Sequence, residues 1–192
     1  FKIMKPKAKL FIISAPSGAG KTTLVKAALK RLPDLLYSIS YTTRPPRGAE
    51  KHGADYFFIN KKEFIRNIEK NRWAEWAEVY GNFYGTSSDF LNKNLNADKN
   101  ILLDLDIKGT LQILKPYPDS ITIFIMPPSL DILRRRLESR GTDKKKEIEK
   151  RLLGAEKEIA KKNLYQHIII NDDLKISINN LVSLMEQKMV VF

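Results

Sequence analysis

The chain of 192 residues has no cysteine, and His52 and His167 are its only histidines. The first absence excludes a disulfide framework and thiolate chemistry; the second excludes a histidine-rich metal site. No apolar run approaches the ~18–20 residues needed to span a bilayer, so no membrane association is expected. The opening stretch Phe1-Lys2-Ile3-Met4-Lys5-Pro6 has basic residues but neither an apolar core nor a small-residue cleavage site, and is not read as a signal peptide. Internal repeats and low-complexity tracts are missing too. What remains is 43% hydrophobic and 29% charged, the composition of one folded domain with a sizeable core rather than of a disordered chain. A cytoplasmic enzyme fits all of this.

Acidic residues are in short supply: 22 Asp and Glu stand against 34 Lys and Arg, a net charge of +12. Such an excess favours polyanionic partners. The basic residues are nevertheless scattered, as in Lys61-Lys62, Arg134-Arg135-Arg136 and Lys144-Lys145-Lys146, with no aromatic-interleaved stripe. A solvated helix surface plus a phosphate-lined cleft is expected, and no nucleic-acid partner.

Short apolar runs alternate with helical patterns. Lys9–Ser14, Ile101–Leu105, Ile121–Met126 and His167–Ile170 read as buried strands, with helices over Lys21–Leu32 and Leu174–Lys188. That rhythm predicts an α/β fold, a parallel sheet covered by helices on both faces. Two stretches break it. Residues 38–90 hold short alternating segments around one helical patch, predicting a small inserted mixed sheet. Residues 134–162 are densely charged and helical, interrupted at Gly141 and Thr142, which predicts a lid. The core is then expected over 1–37, 91–133 and 163–192.

Between the first strand and first helix lies Ser14-Ala15-Pro16-Ser17-Gly18-Ala19-Gly20-Lys21-Thr22-Thr23. It matches the phosphate-binding P-loop pattern except that Ala15 stands where the first glycine usually sits. Gly18 and Gly20 let the backbone turn so that successive N–H groups face phosphate oxygens. The helix N-terminus adds its dipole, Lys21 reaches the β- and γ-phosphates, and the Thr22 hydroxyl can ligate Mg2+. Ala15 is tolerated if its φ is negative.

At the end of the Ile101–Leu105 run, Asp104-Leu105-Asp106 puts two carboxylates on one side of a strand, facing the crevice where parallel sheets bind ligands. Asp104 is a candidate for the metal, directly or through water. Asp106 has a second reading, as the cap of the helix that follows.

Further strings succeed one another along the chain: Thr42-Thr43-Arg44-Pro45-Pro46-Arg47, Gly53-Ala54-Asp55-Tyr56, Glu75-Trp76-Ala77, Gly81-Asn82-Phe83-Tyr84-Gly85-Thr86, Arg140-Gly141-Thr142 and Asn171-Asp172-Asp173. With the P-loop and the Asp104–Asp106 pair, this series resembles the guanylate kinase family over nearly the whole length, in the family's order. The resemblance implies ATP-dependent phosphorylation of GMP, and of dGMP, within purine nucleotide metabolism. Ser17, Gly18, Ala19, Gly20, Lys21, Thr22 and Thr23 would then cradle ATP, with Asn171 touching adenine. Mg2+ would be held through Thr22 and Asp104. Arg44, Arg47, Tyr56 and Tyr84 match the family's grip on the GMP phosphate. Glu75 matches the guanine reader, since a carboxylate accepts two parallel hydrogen bonds from N1–H and the 2-amino group. Ser40 and Thr86 would donate to O6, and Asp106 would sit on the 2-amino side. Arg136, Arg140 and Arg151 match lid and hinge arginines that close on ATP; with Lys21 and Arg44 they form the expected catalytic set. Lys108 stands where the family commonly has glutamine.

No general base is required of such an enzyme, because the attacking phosphate is already largely dianionic and transfer asks for alignment and charge neutralisation. Three other readings are open. A kinase for another phosphorylated acceptor is disfavoured by Glu75, Ser40 and Thr86. A non-catalytic guanylate-kinase-like module, binding a phosphorylated protein through Arg44, Arg47, Tyr56 and Tyr84, is disfavoured by the intact Lys21 and Thr22. A nucleic-acid-binding P-loop protein lacks any recognised binding module. His52 reads as a loop residue and His167 as a strand end.

Overall fold

The computed structural model describes residues 8–139, 141 and 144–189. β1 (Leu10–Ser14) is five residues buried on both faces, as a central parallel strand must be. It lies between β7 (Ile101–Asp104) and β8 (Ile121–Met126), with β2 (Leu36–Tyr37) and β9 (His167–Ile170) at the edges, and every pair in this five-stranded sheet is parallel. α1 (Lys21–Arg31) and α7 (Leu174–Met189) cover one face, closing a core that includes Phe11, Ile123, Leu24, Leu181 and Met185. α3 (Ser88–Asn96) and α4 (Ile107–Ile113) lie on the other, over Ile12, Ile101 and Leu103.

The chain leaves this sheet after β2 and returns at β7. In between, β3 (Tyr41–Thr42), β4 (Phe57–Phe58), β5 (Trp73–Val79) and β6 (Asn82–Ser87) form a second sheet in the order β4-β3-β6-β5. β3 and β4 run parallel and the remaining pairs antiparallel, so the sheet is mixed, as expected. β5 and β6 are joined through Tyr80 and Gly81, both at positive φ (49° and 78°), the conformation that matches a two-residue hairpin to the twist of its strands. α2 (Lys61–Glu69) is capped by Asn60, whose side chain accepts the Glu63 N–H, and buries Phe64 against Trp73 and Phe83.

α5 (Leu130–Ser139) and α6 (Lys145–Ile159) form the charged helical stretch. They share a small core of Leu133, Leu137, Ile148, Leu152 and Ala155. α5 begins four residues ahead of the expected boundary at 134, and Leu133 and Leu137 anchor it above Gly18. No helix among the described residues is long and apolar enough to cross a membrane.

Candidate nucleotide-binding site

The P-loop is a turn before it is a site. Gly18 and Gly20 adopt φ of 92° and 96°, where a side chain is strained, and the Ala19 N–H closes on the Pro16 carbonyl at 3.1 Å. Ala15 is not among the described residues with positive φ, so the methyl in place of the usual glycine is accommodated. Ala19 is fully buried, whereas Ser17, Thr22 and Thr23 are exposed. Asn171, at the end of β9, is itself buried; its amide nitrogen donates to the Ala19 carbonyl at 2.8 Å. Asn171 thus braces the loop from behind. Lys21 forms an ion pair with Asp104, which the adjacent parallel strands β1 and β7 bring to the same edge.

Lys21, Thr22, Ser40, Tyr56, Glu75, Tyr84, Asp104 and Asp106 all line one cleft of about 400 Å3. Arg44 lies beside it, 6% exposed. Its guanidinium is 5.0 Å from the centroid of the Tyr56 ring, and the Tyr56 and Tyr84 rings meet edge to face at 6.1 Å. Glu50 accepts from both Arg44 terminal nitrogens, at 2.6 and 2.7 Å, and from the Arg47 backbone N–H at 2.8 Å. These bonds hold the Glu50 carboxyl down at about 2 and raise Arg44 further above its ordinary range. His52 is indeed a loop residue, with Nδ1 accepting the Phe58 N–H at 3.2 Å.

Glu75 is the buried acid of the cleft, 6% exposed. The β5–β6 register shifts between Trp73 and Glu75, and such a bulge re-aims the side chain that follows it. The Thr86 hydroxyl, on the paired strand, donates to Glu75 Oε1 at 2.7 Å. Burial pushes the Glu75 carboxyl up to about 7; the Thr86 bond offsets part of the rise and nearby Asp106 adds to it. Asp106 does both things that its sequence allowed. It caps α4, accepting the Gly109 N–H at 2.7 Å, and it lines the cleft.

Arg136 and Arg151 are not part of that lining. Arg136 donates to the backbone carbonyl of Asn171 at 2.8 Å, tying α5 to the turn after β9. Arg151 is 3.9 Å from Glu147, one turn back on α6. Arg140 lies outside the described residues. Lys108 is exposed on α4.

Several side chains at or near the site escaped the sequence reading, among them Asp55 and Val79 in the cleft lining. Glu50 holds Arg44. Tyr37, at the end of β2, lines the cleft and is raised above the ordinary tyrosine range by burial, with smaller contributions from Asp104 and Tyr56. Glu158 on α6 is raised by burial, Lys21 lowering and Asp106 raising it. Gln112 on α4 bonds the backbone of Trp76, next to Glu75. Glu50 carried a local signal: it lies three residues beyond Arg47, within reach of the same turn.

A sequence model of the family described as guanylate kinase matches residues 7–188. The chain belongs to the guanylate kinase family. It is 46% identical to the guanylate kinase of Geobacter sulfurreducens over 180 residues, 94% of this chain and 89% of that protein. It is 39% identical to that of Thermotoga maritima over 182 residues, covering 95% and 88%. The crystal structure of guanylate kinase from Anaplasma phagocytophilum superposes with a TM-score of 0.76 at 30% identity, covering 97% of this chain and 89% of the other. A shikimate kinase from Bacteroides thetaiotaomicron shares the fold alone, with a TM-score of 0.52 at 18% identity. Membership of the family makes the chain an enzyme, a kinase of the nucleoside monophosphate class.

Proposed function

We propose that the protein transfers the γ-phosphoryl group of ATP to GMP, and to dGMP, which carries the same base and phosphate. The observation that supports this best is one cleft lined by Lys21 and Thr22 together with the buried Glu75. A buried carboxylate costs free energy unless a partner supplies donors. Thr86 supplies one, to Oε1. Guanine supplies two in parallel, whereas adenine presents an acceptor at N1.

In this reading residues 38–90 hold the acceptor, and 134–162 close over the donor. Arg44, Arg47, Tyr56 and Tyr84 grip the GMP phosphate, and Ser40 faces O6, while Thr86 keeps its proton on Glu75. Lys21 exchanges Asp104 for the β- and γ-phosphate oxygens, while Arg136, Arg140 and Arg151 bring further positive charge. The chain's own groups align two phosphates and exclude water; none has to remove a proton. Thr22 and Asp104 offer hard oxygen donors, the set that suits Mg2+ when substrate phosphates and water complete its shell. Mg2+ held there would neutralise charge on the phosphate oxygens.

A coupled ADP-release assay with ATP and Mg2+ against GMP, dGMP, AMP, UMP and CMP tests the reading. GMP and dGMP are expected to turn over, and the other three at least about 10^2-fold more slowly. Equal use of AMP would overturn guanine specificity. No turnover, combined with phosphopeptide binding, would favour the non-catalytic module.

A further inference from the structure

α4 presents three residues to β5 at intervals of three: Asp106, its cap, then Gly109, then Gln112. That spacing stacks them along one face of the helix. Gly109 brings the helix backbone against the two carboxylates. A β-carbon built there would stand 3.2 Å from Glu75 Oε2 and 3.4 Å from Asp106 Oδ1.

Gln112 holds that approach. The Trp76 backbone N–H donates to Gln112 Oε1 at 3.1 Å, and Gln112 Nε2 donates to the Trp76 carbonyl at 3.0 Å. β5 is the edge strand of its sheet, and its outer edge at Trp76 is met by this carboxamide. A carboxamide carries the same acceptor and donor as a peptide group, so it satisfies both backbone atoms of Trp76 as a neighbouring strand would. Only glutamine and asparagine have both atoms, and the shorter asparagine falls one methylene short. The clip joins the inserted sheet to the core helix one residue from Glu75 and six from Asp106.

We infer that Gln112 is a positioning residue for base recognition: it sets the separation of Glu75 and Asp106, and with it discrimination for the guanine 2-amino group. This rests on the proposed function, in which those two carboxylates flank that amino group. Gln112 touches no substrate and acts through the backbone of β5.

The test uses the full chain with Gln112→Met, which keeps the side chain's length without its hydrogen bonds, and Gln112→Ala. IMP, which is GMP without the 2-amino group, is the comparison substrate. In both variants the ratio of kcat/KM for GMP to that for IMP is expected to fall about tenfold, the equivalent of one to two hydrogen bonds. KM for ATP and kcat at saturating GMP are expected to stay within about twofold of wild type. A residue that merely supported the fold would lower the melting temperature and reduce both nucleotides in proportion; that result, or an unchanged ratio in either folded variant, overturns the inference. Wild-type turnover separates the two levels. If the parent chain does not phosphorylate GMP, the proposed function fails and takes this inference with it. If it does and the ratio is unchanged, only the role of Gln112 fails.

Discussion

Glu50 faces Arg44 fork to fork, Oε2 to Nη1 at 2.6 Å and Oε1 to Nη2 at 2.7 Å. The arginine is almost wholly buried, so its charge is answered from within the chain. The pair orients the guanidinium plane, and Nη1 also donates to the Pro45 carbonyl at 3.0 Å.

Glu50→Gln is expected to raise KM for GMP by at least about tenfold with little change in KM for ATP, because a half-satisfied buried arginine loses its fixed plane. Initial-rate kinetics with each nucleotide varied in turn would show it. The native pair also has a pH signature. The carboxyl is lowered from 4.5 to about 2 on folding, so its contribution is complete above pH 4.5 and is lost as pH falls towards 2.

Glu75 carries the opposite sign. Its carboxyl rises from 4.5 to about 7 on folding, so the folded protein binds the extra proton between those values and loses stability as pH rises through them. The penalty is absent below pH 4.5 and complete above pH 7, on the order of 3 kcal/mol. Glu75→Gln is expected to melt with wild type at pH 4.5 and above it at pH 8. The same variant is expected to lose GMP turnover, since an amide offers an acceptor to one guanine donor and an N–H to the other. Thermal melts at the two pH values, paired with kcat/KM, check both halves.

Lys21→Ala is expected to abolish transfer, by at least the ~10^2–10^3-fold that follows loss of one preorganised charge partner. The fold should survive, because the side chain is partly exposed and its partner Asp104 lines the cleft. Near-wild-type turnover with an unchanged circular dichroism spectrum would remove the loop from the mechanism.

Gly20→Ala is expected to cost about 1–3 kcal/mol and most of the activity. The position has φ of 96°, and the added carbon would stand 2.3 Å from Asn171 Nδ2. A non-glycine residue there is strained, and the Asn171–Ala19 bond must break to admit it. Denaturant unfolding measures the first effect. An ATP titration measures the second.

Much of this was legible because the decisive signals are local. β1 is an unbroken apolar run followed at once by the glycine turn, and Asp104 falls at the end of another such run. Glu75 and Thr86 needed the family pattern, since a glutamate between two tryptophans looks like any strand's polar face. β2 is two residues long, too short for any periodicity, so Tyr37 could not be assigned to the cleft. Ser87 caps a helix beginning at Ser88, ahead of the expected boundary at 90. Gln112 is recognisable only once β5 is known to be an edge, because its partner lies 36 residues away.

The brace between Asn171 and Ala19 spans 152 residues, with a consequence for the order in which the protein comes into being. Synthesis delivers the glycine turn near the start and its support only when the last strand emerges. Until then the turn has its sequence but lacks the amide that holds its buried carbonyl, and an unpaired buried carbonyl is costly. The nucleotide site is therefore among the last features to be finished although its best-known residues are among the first to be made. A chain cut short before β9 carries the motif without the brace that completes the cradle.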